Sequence, residues 1–191
     1  MPAQSIPRLT PEQYLEIERA AEVRSEYYDG EMFEISPVTY AHALVVANLF
    51  EALPGLLRNR GCRAHSAGLG VRASDGRFFG YPDIVVVCGE PRFADDQKDI
   101  LTNPVLILEV LSNSTEARDR GFKFQQYRRI ESLKEYALVS QTEARIEVFF
   151  RDPGGNWVLR EFEGLEAACS FESVGASVAL AEVYRDVALE A

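Results

Sequence analysis

The 191-residue chain has few cysteines, no excess of basic charge and no long hydrophobic run. Its three cysteines, Cys62, Cys88 and Cys169, are far apart and odd in number. No C-x-x-C pair occurs, which excludes the usual spacing of a zinc site or a dithiol redox motif. All three therefore read as small core residues, Cys88 closing an apolar run. No apolar run is long enough to span a bilayer. Met1–Ser5 lacks the basic and apolar regions of a signal peptide. These absences predict a cytoplasmic protein with no membrane partner. There is no G-x-G-x-x-G and no P-loop, so a nucleotide-binding reading has only Gly68-Leu69-Gly70 behind it. No helix-turn-helix or zinc-finger signature is present either.

The apolar share, 47%, is that of a globular protein, and the length fits one domain spanning residues 1–191. The net charge of −10 argues against nucleic acid as a partner, but the charge is unevenly placed. Residues 12–34 hold eight acids against two arginines, and 161–191 seven acids against one. Residues 56–77 instead hold five arginines against one acid, and 116–134 six bases against three acids. These basic segments read equally as solvated surface or as tracks for a phosphate backbone.

Thr10-Pro11-Glu12-Gln13 reads as a capped helix start. Asp29-Gly30 between Ser25–Tyr28 and Glu31–Ile35 reads as a hairpin turn. Helical spacing predicts a helix over Tyr40–Leu53, interrupted by Pro54-Gly55 and ended at Gly61. Strands follow in the stretch 63–87, and a polar loop, 89–103, leads to another over Val105–Leu111. Cap formers at Ser112-Asn113-Ser114-Thr115 precede a helix expected over Glu116–Ile130. Three strands, over 136–140, 145–150 and 157–162, and a helical tail over 180–188 complete an α/β layer pattern with a mixed sheet.

Two apolar strands each carry one carboxylate. Asp83 follows Pro82 at a strand entrance, and Glu109 lies midway along Val105–Leu111. A carboxylate there must be protonated, paired or metal-bound. Lys123, on the next helix, is the available partner. Two readings stay open: a buried Lys–carboxylate ion pair, or a site for Mg²⁺ or Mn²⁺, which prefer oxygen ligands. Glu31 is a candidate for a further ligand through water, and otherwise an edge-strand glutamate. His42 is a candidate to contact phosphate or brace Glu31, and otherwise a partly buried core histidine. Tyr127 and Gln126 fall near the face of Lys123, with Tyr127 expected mainly to pack on the sheet.

Pro82-Asp83 followed by Glu109-Val110-Leu111 resembles the PD-(D/E)xK motif of restriction-endonuclease-like nucleases. A longer pattern is similar to the Uma-type endonucleases, a bacterial branch of that superfamily. It runs through Leu108–Thr115, Asp119–Lys123, Tyr127 and Glu135-Tyr136, with Tyr28-Asp29-Gly30-Glu31, Ser36-Pro37 and His42 upstream. The resemblance implies a restriction-endonuclease-like core, a central mixed β-sheet flanked by helices. It implies Asp83 and Glu109 as metal ligands, the Val110 carbonyl as a third, Mg²⁺ or Mn²⁺ as the ion, and DNA as the substrate. The lysine position of the superfamily motif holds Leu111 here, and the branch assigns that role to a lysine on the following helix, which is Lys123. By analogy, cutting both strands of a duplex implies a homodimer. The alternative is a nuclease-fold binding or assembly module without catalysis.

Overall fold

The computed structural model describes residues 8–190 except 67 and 113. The expectations placed on Met1–Ser5 and on Asn113 lie outside the described residues. Helix α1 (Pro11–Ala20) begins with the expected capping box, Thr10 and Gln13 exchanging hydrogen bonds. Strands β1 (Ser25–Tyr28) and β2 (Glu31–Glu34) pair around Asp29-Gly30, both of which have positive φ, the geometry of a tight hairpin turn.

Helix α2 (Tyr40–Leu57) is capped by the Thr39 hydroxyl, which accepts from the His42 N–H. Val45, Leu49, Leu53 and Leu57, each four residues on, form its buried stripe. Pro54 does not interrupt it as expected. Its ring lies on the exposed side, and its carbonyl still accepts from the Arg58 N–H. The chain ends its helical course at Gly61, which is left-handed. By length and composition the stretch Tyr40–Arg60 could cross a membrane, contrary to the reading that no run is long enough. Its apolar stripe is instead buried in the protein core.

Strands β3 (Cys62–Ser66), β4 (Gly70–Arg72), β5 (Phe78–Gly80), β6 (Ile84–Cys88), β7 (Ile100–Leu101) and β8 (Leu106–Val110) follow. A π-helical turn, Arg118–Lys123, runs into α3 (Phe124–Tyr127), so the expected helix over 116–130 is shorter and wider in its first half. Strands β9 (Glu135–Val139), β10 (Arg145–Arg151) and β11 (Trp157–Glu163) come next. A hairpin not anticipated, β12 (Ala168–Phe171) and β13 (Ala176–Ala179), precedes the short α4 (Leu180–Val183).

The main sheet has the order β11-β10-β9-β8-β6-β3, with only β8 and β9 parallel. A second sheet has the order β2-β1-β5-β4-β7. Side chains alternate across the main sheet. Ile84, Val86, Leu106 and Leu108 pack with the α2 stripe. Val85, Val87 and Ile107 pack on the opposite side with Tyr127, Tyr136 and Phe78. Both faces are thus covered, which explains why β6 and β8 are nearly uninterrupted apolar runs. Gly80 fits this packing because a Cβ there would stand 2.5 Å from the Tyr127 hydroxyl. Tyr127 is fully buried, as a residue that packs on the sheet should be.

The cysteines correct an expectation. Cys62 and Cys88 are register partners across β3 and β6 and are joined by a disulfide, with Cα atoms 4.0 Å apart. Only Cys169 is a free, buried core cysteine. The pair escaped notice because 26 residues separate it along the chain, whereas the sheet register places it side by side. Such bonds belong to oxidising compartments, and in a reducing one the two thiols would face each other unbonded.

A carboxylate-rich cleft as the candidate active site

The antiparallel register of β6 and β8 pairs Ile84 with Leu108, which sets Asp83 level with Glu109 at one end of the sheet. Here β6 begins and β8 ends, so the ladder opens into a cleft of about 480 Å³. Asp83, Glu109, Val110, His42 and Lys123 all line it. Pro82 explains why Asp83 is at the mouth rather than inside the strand: it cannot donate to the ladder. The Asp83 carboxylate accepts the Val110 N–H at 2.7 Å and lies 3.2 Å from His42 Nε2. His42 is in the first turn of α2, so the capped end of that helix forms one wall of the cleft. The same wall is tied to the far side by Thr39, whose hydroxyl donates to Gln141 Oε1 at 2.6 Å.

Leu108 and Val110 face α2, which leaves Glu109 on the other face of the sheet. Only 3% of Glu109 is exposed. Lys123 is not a surface lysine: it is 8% exposed, and its Nζ reaches Glu109 at 3.2 Å, Glu26 at 3.0 Å and Asp119 at 3.0 Å. The π-helical turn carries both Asp119 and Lys123 to the sheet, where the Tyr136 hydroxyl holds the Asp119 carbonyl at 3.0 Å. Widened turns of this kind recur at functional sites.

The electrostatics follow from crowding. Burial drives the Glu109 carboxyl well above the ordinary range; Lys123 opposes this, and Asp119, Asp83 and Glu26 add to it. Asp119 is raised for the same first reason, burial. Burial pulls the Lys123 ammonium down, but Glu109, Glu26 and Asp119 together outweigh it and hold the group above the usual lysine value. Lys123 is therefore a fixed positive charge at neutral pH.

The two sequence-level readings of Lys123 meet in this arrangement. Without a metal it is an ion pair with buried carboxylates. Yet the local charge does not balance: Glu26, Asp83, Glu109 and Asp119 face only Lys123 and Arg118 as cations in the cleft lining. Arg118 is already paired with Glu26 at 3.1 Å. Among the described residues no three His, Cys, Asp or Glu side chains are arranged as a ready-made metal cage. Lys123 stands among the carboxylates that would form one. The donor chemistry, carboxylate oxygens with a net negative excess, fits a hard divalent cation.

Glu31 is not brought into the cleft. It is exposed on β2, opposite Tyr28. Glu26, on β1, is there instead, and His42 meets Asp83 rather than Glu31. The signal for Glu26 was a lone acid in Ser25-Glu26-Tyr27-Tyr28, a short strand with both tyrosines beside it. The signal for Asp119 was its i, i+4 spacing to Lys123. Leu111, where the superfamily has lysine, is buried in the apolar core. Ser112 and Ser114 line the cleft and bond to each other at 3.1 Å, while Gln126 is buried outside it.

Three comparisons bear on this site. The family described as "Uma2: Putative restriction endonuclease" matches residues 11–181. Two proteins of Synechocystis sp., slr1290 and sll1609, both uncharacterised, are similar. The first is 31% identical, covering 98% of this chain and 97% of its own. The second is 33% identical, covering 85% of this chain and 92% of its own. A crystal structure of "a putative nuclease belonging to DUF820" from Anabaena variabilis superposes with a TM-score of 0.75 at 17% identity. The superposition covers 92% of this chain and 97% of that one. The fold, a mixed sheet flanked by helices, is shared with that protein. The chain belongs to the Uma2 family.

Proposed function

We propose that residues 1–191 act as one metal-dependent endonuclease domain that hydrolyses phosphodiester bonds of DNA. The observation that carries this reading is the surplus of carboxylate over cation around Glu109, at the open end of a sheet in a chain of this family. Asp83 and Glu109, with the Val110 carbonyl, would hold Mg²⁺ or Mn²⁺. The bound ion would supply a water acidified toward hydroxide and a neutralising charge on the phosphate.

The chain's own residues do the rest. Asp83 is aimed by one donor, the Val110 N–H, with His42 Nε2 close beside it at 3.2 Å, so it does not have to reorganise on binding. Glu26 and Asp119 keep the Lys123 ammonium protonated and beside Glu109. From there its charge faces the extra negative charge that develops on the phosphoryl oxygens. Cutting both strands of a duplex would call for a homodimer; cutting one strand would not.

A second reading, a binding or assembly module, is favoured by one observation: Lys123 is fully occupied by three carboxylates. Incubation of the protein with plasmid and oligonucleotide DNA, with Mg²⁺ or Mn²⁺ and with chelator, separates the two. Metal-dependent cleavage that disappears in Asp83→Asn supports the nuclease. Cleavage unchanged in Asp83→Asn, or none on any DNA form, refutes it.

A further inference from the structure

Of the two basic segments that the sequence offers as phosphate tracks, 116–134 is largely neutralised within the fold, and the arginines of 56–77 do not line the cleft. In 116–134, Arg118 is bound to Glu26, Arg120 to Glu116 and Glu147, Lys123 to three acids, and Arg129 to Asp75. Around the cleft, five acidic side chains line the walls against two basic ones. A nuclease that gripped duplex DNA through its phosphates would need the opposite balance. Binding energy at the cleft itself must therefore come from another part of the substrate.

The cleft's other wall supplies it. The segment 33–39 lines the rim from β2 to the cap of α2 and contains Phe33, Ile35, Pro37 and Val38, with Glu34 its one charged residue; Tyr40 follows it directly in the chain. Val38 is 59% exposed, and Tyr40, at the start of α2, is 82% exposed, an extreme value for a tyrosine with no structural partner for its ring among the described aromatic contacts. Deeper in, the Arg118 guanidinium lies over the Phe33 ring at 4.6 Å, so the wall pairs apolar and aromatic surface with a flat cation. Nucleobases stack on such surfaces whatever their sequence, but only when they are unpaired.

We propose that the Uma2-type cleft takes single-stranded or frayed DNA, with Tyr40 and Val38 forming a stacking platform for an unpaired base next to the scissile phosphate. The inference rests on the nuclease reading and names its substrate class. In a duplex the base faces are hidden and the closely spaced phosphates meet an acidic cleft, so affinity falls. In a single strand, a base turned toward the rim contacts Tyr40 while the adjacent phosphate reaches Asp83 and Glu109.

The test uses a fluorescent 12-nucleotide DNA, single-stranded and as a blunt duplex, with the full chain in Mn²⁺ and in chelator. Anisotropy is expected to show the single strand bound about tenfold or more tighter than the duplex, with a shallow salt dependence. Tyr40→Ala should weaken single-strand binding about tenfold, and Tyr40→Phe should keep it, since the ring does the stacking. Equal affinity for duplex and single strand, or unchanged binding in Tyr40→Ala, overturns the inference even if DNA is cleaved. Tyr40-dependent single-strand binding without any metal-dependent cut leaves the platform standing and refutes the nuclease reading.

Discussion

Glu109 and Glu135 are the same residue type on neighbouring parallel strands, β8 and β9, and are equally hidden, at 3% and 2% exposure. Burial raises the pKa of both. Their surroundings differ. Glu135 accepts from the backbone N–H of Glu172 at 2.9 Å, from that of Ser173 at 3.0 Å, and from the Ser173 hydroxyl. Neutral donors satisfy it completely and fasten the turn before β13 to the sheet. Glu109 has no such shell. It meets one lysine and three further acids at the mouth of a cleft. A buried acid closed off by donors is a structural member; one left in a crowd of like charges is, on the proposed reading, a ligand for a cation.

That contrast can be broken by mutation. The largest effect belongs to Asp83→Asn and Glu109→Gln. Each should lower metal-dependent cleavage by about a thousandfold or more while the far-UV circular dichroism is unchanged, because a lost ligand removes several kcal/mol of transition-state stabilisation. Full activity in either variant removes the site. Lys123→Ala comes next, with turnover down about a hundredfold or more and metal affinity largely kept. It also leaves Glu109 and Asp119 unpaired, so it should cost about 3–5 kcal/mol in denaturant unfolding. Added Mn²⁺ should restore more stability to this variant than to wild type.

The disulfide has a smaller, purely structural role. Reduction, or Cys62→Ser with Cys88→Ser, should lower stability by about 2–4 kcal/mol in chemical unfolding, and a variant as stable as the oxidised protein would contradict it. Glu135→Gln gives the smallest effect, about 1–3 kcal/mol, with turnover unchanged. Its pH dependence has a definite sign. A carboxyl raised on folding contributes its stability below the unfolded value of 4.5 and loses it as pH rises through the folded value. The stability advantage of wild type over Glu135→Gln should therefore shrink from acid toward neutral pH. A gap that widens with pH would show that the hydrogen bonds outweigh burial.

Much of this contrast was legible in the amino-acid order. Asp83 and Glu109 stood out because a carboxylate in an apolar strand has a cost, and the apolar runs that follow Asp83 and enclose Glu109 do fold as strands. The hairpin at Asp29-Gly30 and the capped start of α1 follow from local chemistry and are found where that chemistry puts them. What stayed hidden depends on register between distant segments. Cys62 faces Cys88, and Glu26 rather than Glu31 turns inward, only because of how β3 meets β6 and β1 meets β5. A one-residue slip would exchange the two faces of a strand, and no local pattern in a four-residue strand fixes it. Pro54 misled because its ring points to solvent, where a helix bears the loss of one hydrogen bond. The turn at Arg118–Lys123 was read as ordinary helix since a π-helical turn leaves no distinctive residue pattern.

The most direct test of the account is a calorimetric titration of Mn²⁺ into wild type and into the Asp83→Asn/Glu109→Gln variant, each with a saturating short DNA strand so that substrate oxygens are present. The account predicts a binding heat with wild type that is absent from the variant. Equal heats from the two proteins, or none from either, would mean that Glu109 pairs only with Lys123 and Asp83 only with Val110 and His42, and that neither holds a metal.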